Sequence, residues 1–286
     1  MPKRILSRLQ RILSMRSDGQ GPHRLTFIAG PPRSGTTWLN RELCNHPGFA
    51  PFLPECSFLT QQVALYSQTK HYGEAKRFAV YFGSKENLAG QYHEVIRRMI
   101  DLTLQINNIG SNDRVILKDP ELSHHVGDLA DILPDHQLVC IVRDPRDVMA
   151  SIKKASERKQ QPWDVESASG QIFRYFGSIL AHQRRKPMNT IFVRYEDLVT
   201  KGLDPVRAFI GQDAAAGSPL AQASEALQAH FDKSDPFFSD LYFKPTTTET
   251  IGSYAGIPTE AEIRRIEAIF SGVLSRWGYA LWSPAT

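Results

Sequence analysis

The segment IAGPPRSGTT, which runs from Ile28 to Thr37, decides the fold of this chain. An apolar run rich in β-branched and aromatic residues precedes it, and Trp38-Leu39 follows it. A strand, a glycine-bounded turn and the start of a helix therefore lie within one short stretch. A turn of this kind directs backbone N–H groups and the positive end of a helix dipole towards an anion. We therefore expect the segment to bind a phosphate group.

The spacing of the two glycines, Gly30 and Gly35, is the G-x-x-x-x-G spacing of a P-loop. In a P-loop a lysine follows the second glycine and binds phosphate, whereas Thr36 follows it here. The loop adds the Arg33 guanidinium and three hydroxyl groups to the backbone donors, and this set suits a phosphate. The alternative is a strand-to-helix turn without a ligand, which the polar side chains disfavour.

Composition limits the class of protein. The chain has 286 residues, enough for one large α/β domain or two small ones, and its hydrophobic fraction of 41% and net charge of +4 are ordinary for a globular protein. The basic residues form no continuous stripe with interleaved aromatics, so we predict a cleft for an anionic cofactor and no nucleic-acid partner.

Three cysteines without a CxxC pair indicate neither a disulfide framework nor a zinc site, and we expect a cytoplasmic, reducing compartment. No apolar run approaches the roughly 18 residues that span a bilayer.

Residues 3–16 form a basic, amphipathic segment. Five aliphatic residues lie on one face of the predicted helix, and five Lys or Arg residues lie largely around the other. Such a helix suits an anionic lipid surface, so peripheral membrane contact is one interpretation. A helix packed on the domain or on a partner chain is the other. We assign residues 1–20 to this arm and residues 21–286 to a single domain, and nothing in the sequence predicts an oligomeric state.

Short apolar strands alternate with helices along the rest of the chain. The predicted strands are Leu25–Ala29, Val115–Leu117, Leu138–Val142 and Thr190–Val193. This order predicts a P-loop-containing three-layer α/β/α domain with a central parallel sheet. Ligands of such sheets bind beyond the carboxyl ends of the strands. The residues that follow the strands, and so share this edge, are Gly30 to Thr37, Lys118 to Pro120, Arg143-Asp144 and Arg194 to Glu196.

The predicted helices cover most of the remaining chain. We expect helices over residues 36–45, 165–186 and most of 60–107, and helical spacing from Leu122 to Leu133. The last helix begins at a capping box formed by Thr259 and Glu262, and Gly278 follows its end.

Arg143 and Ser151 are candidates for a second anion site. Arg143 ends a buried strand, and Ser151 lies eight residues later in the next helix. Both can point at one anion beyond the strand end. The alternative is an arginine that forms a salt bridge with Asp144 or Asp147.

Lys118 and Glu55 are candidates for reaction chemistry. A lysine at a strand end can stabilise developing negative charge, unless it pairs with Asp119 or Glu121. Glu55, in the loop after the P-loop helix, can accept a substrate proton. A single glutamate in a loop is otherwise a solvated surface residue.

Together these segments resemble a known family. The segments are PPRSGTTWL, the HP that follows its helix, LKDP, LVCIVRDPRDVMASI and VRYEDL. They resemble the sulfotransferases that use 3′-phosphoadenosine 5′-phosphosulfate (PAPS), as does the closing Arg276-Trp277-Gly278-Tyr279. The resemblance implies a PAPS co-substrate, adenosine 3′,5′-bisphosphate (PAP) as product, and no metal.

The resemblance also implies roles for individual residues. Arg143 and Ser151 would bind the 3′-phosphate, Tyr195 would lie close to the nucleotide, and Lys244 resembles a lysine on the cofactor side. The residues that would bind the 5′-phosphosulfate are Arg33, Ser34, Gly35, Thr36, Thr37 and Trp38.

The position of the general base separates two branches of the family. Cytosolic aryl sulfotransferases have a histidine two residues after the strand-end lysine, where this chain has Pro120. Tyrosylprotein and carbohydrate sulfotransferases use a glutamate a little after the HP motif, and Glu55 lies nine residues after His46. We therefore predict Glu55 as the base, with His124 as the second candidate, and Lys118 and Arg33 as its catalytic partners.

Two other functions remain as alternatives. A P-loop kinase or nucleotide hydrolase with an altered loop would need a metal ligand such as Asp119 and a substitute for the loop lysine. A non-catalytic binding protein would have lost the anion-binding residues. The acceptor is a hydroxyl or amine of a small molecule, glycan or lipid, and residues 60–107 and 155–190 are expected to line its pocket.

Overall fold

The computed structural model describes residues 25–46, 48–72, 75–110, 113–211 and 247–283. The basic arm and Lys244 lie outside these residues, and so does Pro47 of the HP motif.

Four parallel strands form the central sheet of the described residues. They are β1 (Leu25–Ala29), β2 (Val115–Lys118), β3 (Gln137–Val142) and β4 (Thr190–Arg194), in the spatial order β2-β1-β3-β4. Ile28 pairs with Lys118, and Val142 pairs with Arg194, so the carboxyl ends lie along one edge. The chain leaves β1 for β2 on one side and returns to β3 on the other. The switch point, where ligands of open α/β sheets bind, therefore lies between β1 and β3.

Helices cover both faces of the sheet, as the alternation of strands and helices predicts. The α-helices are α1 (Thr36–Cys44), α2 (Ser57–Tyr72), α3 (Ala75–Phe82), α4 (Lys85–Ile106), α5 (Val126–Ile132), α6 (Pro145–Arg158), α7 (Val165–Arg184), α8 (Tyr195–Lys201), α9 (Asp204–Ile210), α10 (Glu260–Ile269) and α11 (Ser271–Trp277). Among the described residues, two 3₁₀ helices span Pro120–His125 and Ser253–Gly256.

The hydrophobic core has two halves, because successive strand residues point to opposite faces. Phe27 and Leu138 belong to the half that is covered by α2, α4, α5, α6, α7 and α10. Ile28 and Val139 belong to the half that is covered by α1, α8 and α9. These two layers of helices and the sheet between them confirm the predicted three-layer architecture.

Two predicted helices differ from the structure. The stretch from Leu122 to Leu133 begins as the 3₁₀ helix Pro120–His125, started by a proline and capped by the Asp119 side chain, and becomes α-helical only at Val126. The last helix is interrupted at Phe270, whose fully buried ring packs against Phe176. The interruption places Phe270 in the core, and burial of a side chain of this size contributes about 1.5–3 kcal/mol.

The ends of the last helical segment agree with the sequence. Thr259 and Glu262 form the reciprocal capping box, and Gly278 adopts the left-handed conformation after α11. Among the described helices, none combines the length and the hydrophobicity that a membrane crossing requires.

Candidate active site

The turn between β1 and α1 has the geometry of an anion-binding loop. Gly35 stands at the N-cap of α1 with φ of +94° and, as a glycine, provides no side-chain cap. The N–H groups at the N-terminus of a helix suit an anion. A Cβ atom on Gly30 would lie 2.4 Å from the Ile141 carbonyl oxygen on β3. Glycine at this position therefore allows the loop to lie directly against β3, at the switch point.

Arg33 joins this loop to α6. Its backbone is left-handed (φ of +69°), and its Nε donates to the Ser151 hydroxyl over 2.9 Å. Its carbonyl accepts from Arg143 Nη1 over 3.1 Å. The residues predicted for the 5′-phosphosulfate and those predicted for the 3′-phosphate therefore form one continuous surface.

The Arg143 guanidinium is only partly occupied by protein groups. Besides the Arg33 carbonyl, it donates to the Thr250 carbonyl, and its Nη2 lies 3.8 Å from Asp147. The predicted alternative of an Asp147 ion pair is thus present, whereas Asp144 pairs with Arg146 instead. Arg143 Nε is buried and has no hydrogen-bond partner among the described residues, which fits a guanidinium that receives an anionic ligand.

Tyr195 forms one wall of the same surface. Its ring packs edge-on against Trp38 at 5.4 Å and lies beneath the Arg143 guanidinium at 4.9 Å. A Cβ atom on Gly35 would lie 2.5 Å from this ring. The wall therefore depends on a glycine at this position of the loop.

The loop before α2 follows the edge of the sheet and brings Glu55 to the site. Phe49 bridges to Arg114 in parallel, just before β2 begins. At the other end, the Cys56 N–H donates to the Lys118 carbonyl over 3.0 Å. The loop therefore runs alongside β2 and ends where that strand ends.

Glu55 and Lys118 form an ion pair at this edge. Lys118 Nζ donates to Glu55 Oε1. The lysine side chain is 4% exposed and the glutamate side chain is 50% exposed, so the carboxylate faces solvent while the ammonium group lies behind it. Lys118 pairs with neither Asp119 nor Glu121, the predicted alternatives. The predicted base and the predicted charge-stabilising lysine, which come from separate motifs, are in contact.

His124, the second candidate for the base, has a different environment. Its Nε2 lies 3.8 Å from the Glu121 carboxylate, and its ring lies 4.1 Å from that of Tyr175. Burial lowers the pKa of His124. Tyr175 donates its hydroxyl to Glu121, and burial raises the pKa of the tyrosine. These residues form a polar, aromatic cluster on the 120–125 turn and α7.

Sequence reasoning missed Thr250, and it named Asp147 only as an ion-pair partner of Arg143 and Glu196 only as a residue at the sheet edge. The hydroxyl of Thr250 lies 2.9 Å from that of Tyr195, and its carbonyl accepts from Arg143. Asp147 accepts hydrogen bonds from residues 252–254. Glu196 accepts the Asp144 N–H over 2.8 Å and so fixes the turn after Arg143. The sequence around Thr250 carries no signal that could have identified it.

The comparison with protein families decides the class of this site. The model of the sulfotransferase family matches residues 26–210, a span that contains the loop, Glu55, Lys118, Arg143 and Tyr195. The chain belongs to the sulfotransferase family. This is the family of PAPS-dependent enzymes that its motifs resemble, so the chain is an enzyme of that class.

Solved structures share the fold of this sulfotransferase. The sulfotransferase domain of the Synechococcus PCC 7002 olefin synthase is 18% identical, with a TM-score of 0.61 over 94% of this chain and 99% of that chain. The sulfotransferase domain from the curacin biosynthetic pathway is 19% identical, with a TM-score of 0.56 over 92% and 100%. The sulfotransferase STF9 of Mycobacterium avium is 15% identical, with a TM-score of 0.53 over 99% and 82%. No curated protein matches significantly.

Proposed function

We propose that this sulfotransferase transfers a sulfuryl group from PAPS to a hydroxyl or amine of its acceptor, with Glu55 as the general base. The observation that carries this proposal is the contact of the half-exposed Glu55 carboxylate with the buried Lys118, at the same sheet edge as the phosphate loop. A base and a cation at this edge are the two groups that in-line transfer needs.

The described residues suit the two ends of the nucleotide. The N–H groups at the start of α1, with Arg33 and the hydroxyls of Thr36 and Thr37, would hold the 5′-phosphosulfate, whereas the buried Ser34 hydroxyl donates to the Pro31 carbonyl. Arg143, whose Nε has no partner, and Ser151 would hold the 3′-phosphate. Trp38 and Tyr195 border the space between these groups. Lys244, outside the described residues, stays a predicted cofactor-side lysine.

The absence of the P-loop lysine fits a sulfuryl donor. A kinase must neutralise a highly charged phosphoryl group, and it uses that lysine and Mg²⁺ to do so. A transferring sulfuryl group carries less negative charge, so Arg33, Lys118 and backbone donors suffice in the proposed site without a metal. Among the described residues, no cluster of His, Cys, Asp and Glu side chains forms a metal site.

The proposed reaction is an in-line displacement at sulfur. The acceptor oxygen or nitrogen forms a bond to sulfur while the bond between sulfur and the 5′-phosphate oxygen breaks. Glu55 takes the acceptor proton, and Lys118 stabilises the charge that appears on the leaving oxygen, so that PAP and the sulfated acceptor are the products. This assignment places the chain with the glutamate-base branch of the family.

The surroundings of Glu55 suggest where the acceptor binds. Phe58, three residues after Glu55 on the first turn of α2, is 40% exposed. The 120–125 turn packs against both α2 and α7, and it presents His124 beside Tyr175. Aromatic rings of this kind suit a sugar, a lipid or a phenol, and the Glu121 carboxylate adds a hydrogen-bond acceptor.

Ligand-induced stabilisation tests the donor. PAP without Mg²⁺ should raise the melting temperature, because a ligand at about 100 times its Kd adds about 2.7 kcal/mol to the free energy of unfolding. Stabilisation by MgATP alone would instead favour a kinase. A PAPS-dependent transfer assay against a pool of small molecules, glycans and lipids, with mass shift as the readout, then identifies the acceptor.

The basic arm supports a separate proposal about location. We propose a cytoplasmic enzyme that contacts membranes through residues 3–16, whose composition suits an anionic lipid surface. Deletion of residues 1–17 should reduce cosedimentation with vesicles of anionic phospholipid and leave PAP binding unchanged. Equal cosedimentation of both forms would exclude the arm as the anchor.

A further inference from the structure

Asp147, on the first turn of α6, lies in sequence between the two residues that are proposed to hold the 3′-phosphate. Asp147 and Ser151 are four residues apart on one face of α6, and Arg143, which precedes this helix, has its Nη2 3.8 Å from the Asp147 carboxylate. A carboxylate at this position repels a phosphate dianion unless its own charge is satisfied elsewhere. The hydrogen bonds of Asp147 therefore bear directly on the nucleotide site.

Both carboxylate oxygens of Asp147 are occupied by one short segment. Oδ2 accepts the Gly252 N–H over 2.9 Å, and Oδ1 accepts the Tyr254 N–H over 3.0 Å and the Ser253 hydroxyl over 3.1 Å. Asp147 is 1% exposed, so these bonds form away from water. Hydrogen bonds to a charged group are roughly twice as strong as those between neutral groups. The carboxylate thus fixes three consecutive residues against α6.

The fixed segment reaches the nucleotide site two residues earlier. Gly252 turns the chain with φ of +71°, and Thr250 lies just before this turn. The Thr250 carbonyl accepts from Arg143, and its hydroxyl lies 2.9 Å from the Tyr195 hydroxyl. The position of Thr250 therefore affects the Tyr195 ring, which forms the wall of the proposed 3′-phosphate site, and the Arg143 guanidinium, which is its cation.

We propose that Asp147 is a positioning residue for the donor nucleotide. It holds residues 250–254 so that Thr250 orients the Arg143 guanidinium and the Tyr195 ring before PAPS binds. Its own charge is taken up by N–H donors, a hydroxyl and Arg143, and for this reason a carboxylate is compatible with a phosphate site. The proposal rests on the proposed function and adds a residue that contacts neither the nucleotide nor the acceptor.

The variant Asp147→Asn tests this role. The asparagine keeps the shape but places an NH₂ group against at least one of the backbone N–H donors, which opens the clamp on residues 252–254. We expect the Kd for PAP and the KM for PAPS to rise about tenfold or more, because charge-assisted bonds are lost. The kcat at saturating PAPS should change by less than about threefold, since Asp147 touches no reacting group.

Two companion variants control for folding. Ser253→Ala removes the single hydroxyl bond to the carboxylate and leaves both backbone bonds, so PAP affinity should change by less than about threefold. Thr250→Val removes the Tyr195 contact without altering α6, and PAP affinity should fall measurably while the melting temperature of the free protein is retained. If Asp147→Asn does not fold, Thr250→Val carries the test, and an unchanged PAP affinity in that variant overturns the proposal.

Hydrogen exchange separates positioning from simple stability. In Asp147→Asn, the amides of Gly252 and Tyr254 should exchange faster while those in the middle of α7 stay protected. Faster exchange with unchanged PAP affinity would show a purely structural role and overturn the inference, as would unchanged exchange and affinity. If PAP fails to bind even the unaltered protein, the proposed function itself fails, so the two failures are distinguishable.

Discussion

Lys118 and Glu55, which lie 63 residues apart in sequence, form an ion pair at the carboxyl edge of the sheet. The pair exists because the loop after α1 runs alongside β2 and ends beside it. The exposed carboxylate and the buried ammonium group have different access to solvent, and this difference suits different roles. The carboxylate can meet an acceptor, whereas the ammonium group lies behind it and is proposed to stabilise charge on the leaving oxygen.

Replacement of the proposed base should stop turnover and leave the binding of the donor nucleotide intact. In Glu55→Gln the side chain keeps its shape but cannot take a proton, so kcat should fall by roughly 10²–10⁴. The Kd for PAP, measured by calorimetry, should stay within about threefold. Glu94→Gln, at an exposed position on α4, is the matched control and should be fully active. A fully active Glu55→Gln enzyme would instead direct attention to His124.

Replacement of the buried lysine should affect the chemical step more than binding. Lys118→Met keeps the length of the side chain but removes the charge that is proposed to stabilise the leaving oxygen, so kcat should fall by roughly 10²–10³. The variant Lys118→Arg, which retains the charge, should keep part of this activity. Single-turnover rates measure the step directly, and equal rates for the Met variant and the unaltered enzyme would remove Lys118 from the mechanism.

How much of this site could be predicted depends on how far apart in sequence the contacting residues lie. The strands and the edge that they share followed from buried runs and parallel topology, and so did the position of Lys118 at that edge. Glu55 was assigned through the resemblance of the segment after the HP motif to the sulfotransferases. The interruption at Phe270 was not predictable, because the apolar stripe continues across it from Ile266 to Leu274. The contact of Thr250 with Arg143 joins residues 107 positions apart, and no local pattern encodes it.

The loop glycine should be irreplaceable for two physical reasons. In Gly35→Ala the left-handed backbone costs about 1–2 kcal/mol, and the new methyl group would lie 2.5 Å from the Tyr195 ring. We expect a lower melting temperature and loss of PAP binding. Gly170→Ala, in the middle of α7 where the added Cβ has free space, is the matched control. It should be neutral or stabilising by roughly 0.5–1 kcal/mol, and the same result for Gly35→Ala would contradict the geometry.

Acid should destabilise the protein through a histidine far from the site. His182 on α7 is buried, and burial lowers its pKa to about 4 in the folded state, with the charges of Arg185 and His136 acting in the same direction. The unfolded chain binds the proton near its ordinary pKa of about 6.5. Stability is therefore fully present above pH 6.5 and is lost as the pH falls towards 4.

The variant His182→Gln isolates this contribution, because the glutamine side chain does not titrate between pH 6.5 and pH 4. The melting temperature of the unaltered protein should fall between pH 7 and pH 5, and the fall should be smaller in the variant. His124, His125 and His136, whose pKa values burial also lowers, account for part of the remaining slope. Identical slopes for the variant and the unaltered protein would exclude His182 as a titrating group.

The role of Arg143 should show as a loss of affinity that is confined to nucleotides with a 3′-phosphate. Arg143→Lys keeps a positive charge but loses the planar guanidinium that contacts the Arg33 and Thr250 carbonyls and leaves Nε for the ligand. The affinity for PAP should fall about tenfold or more, whereas the affinity for adenosine 5′-monophosphate, which lacks the 3′-phosphate, should change little. Calorimetry with both nucleotides measures the difference. An equal loss for both ligands would mean that Arg143 supports the loop and does not bind the 3′-phosphate.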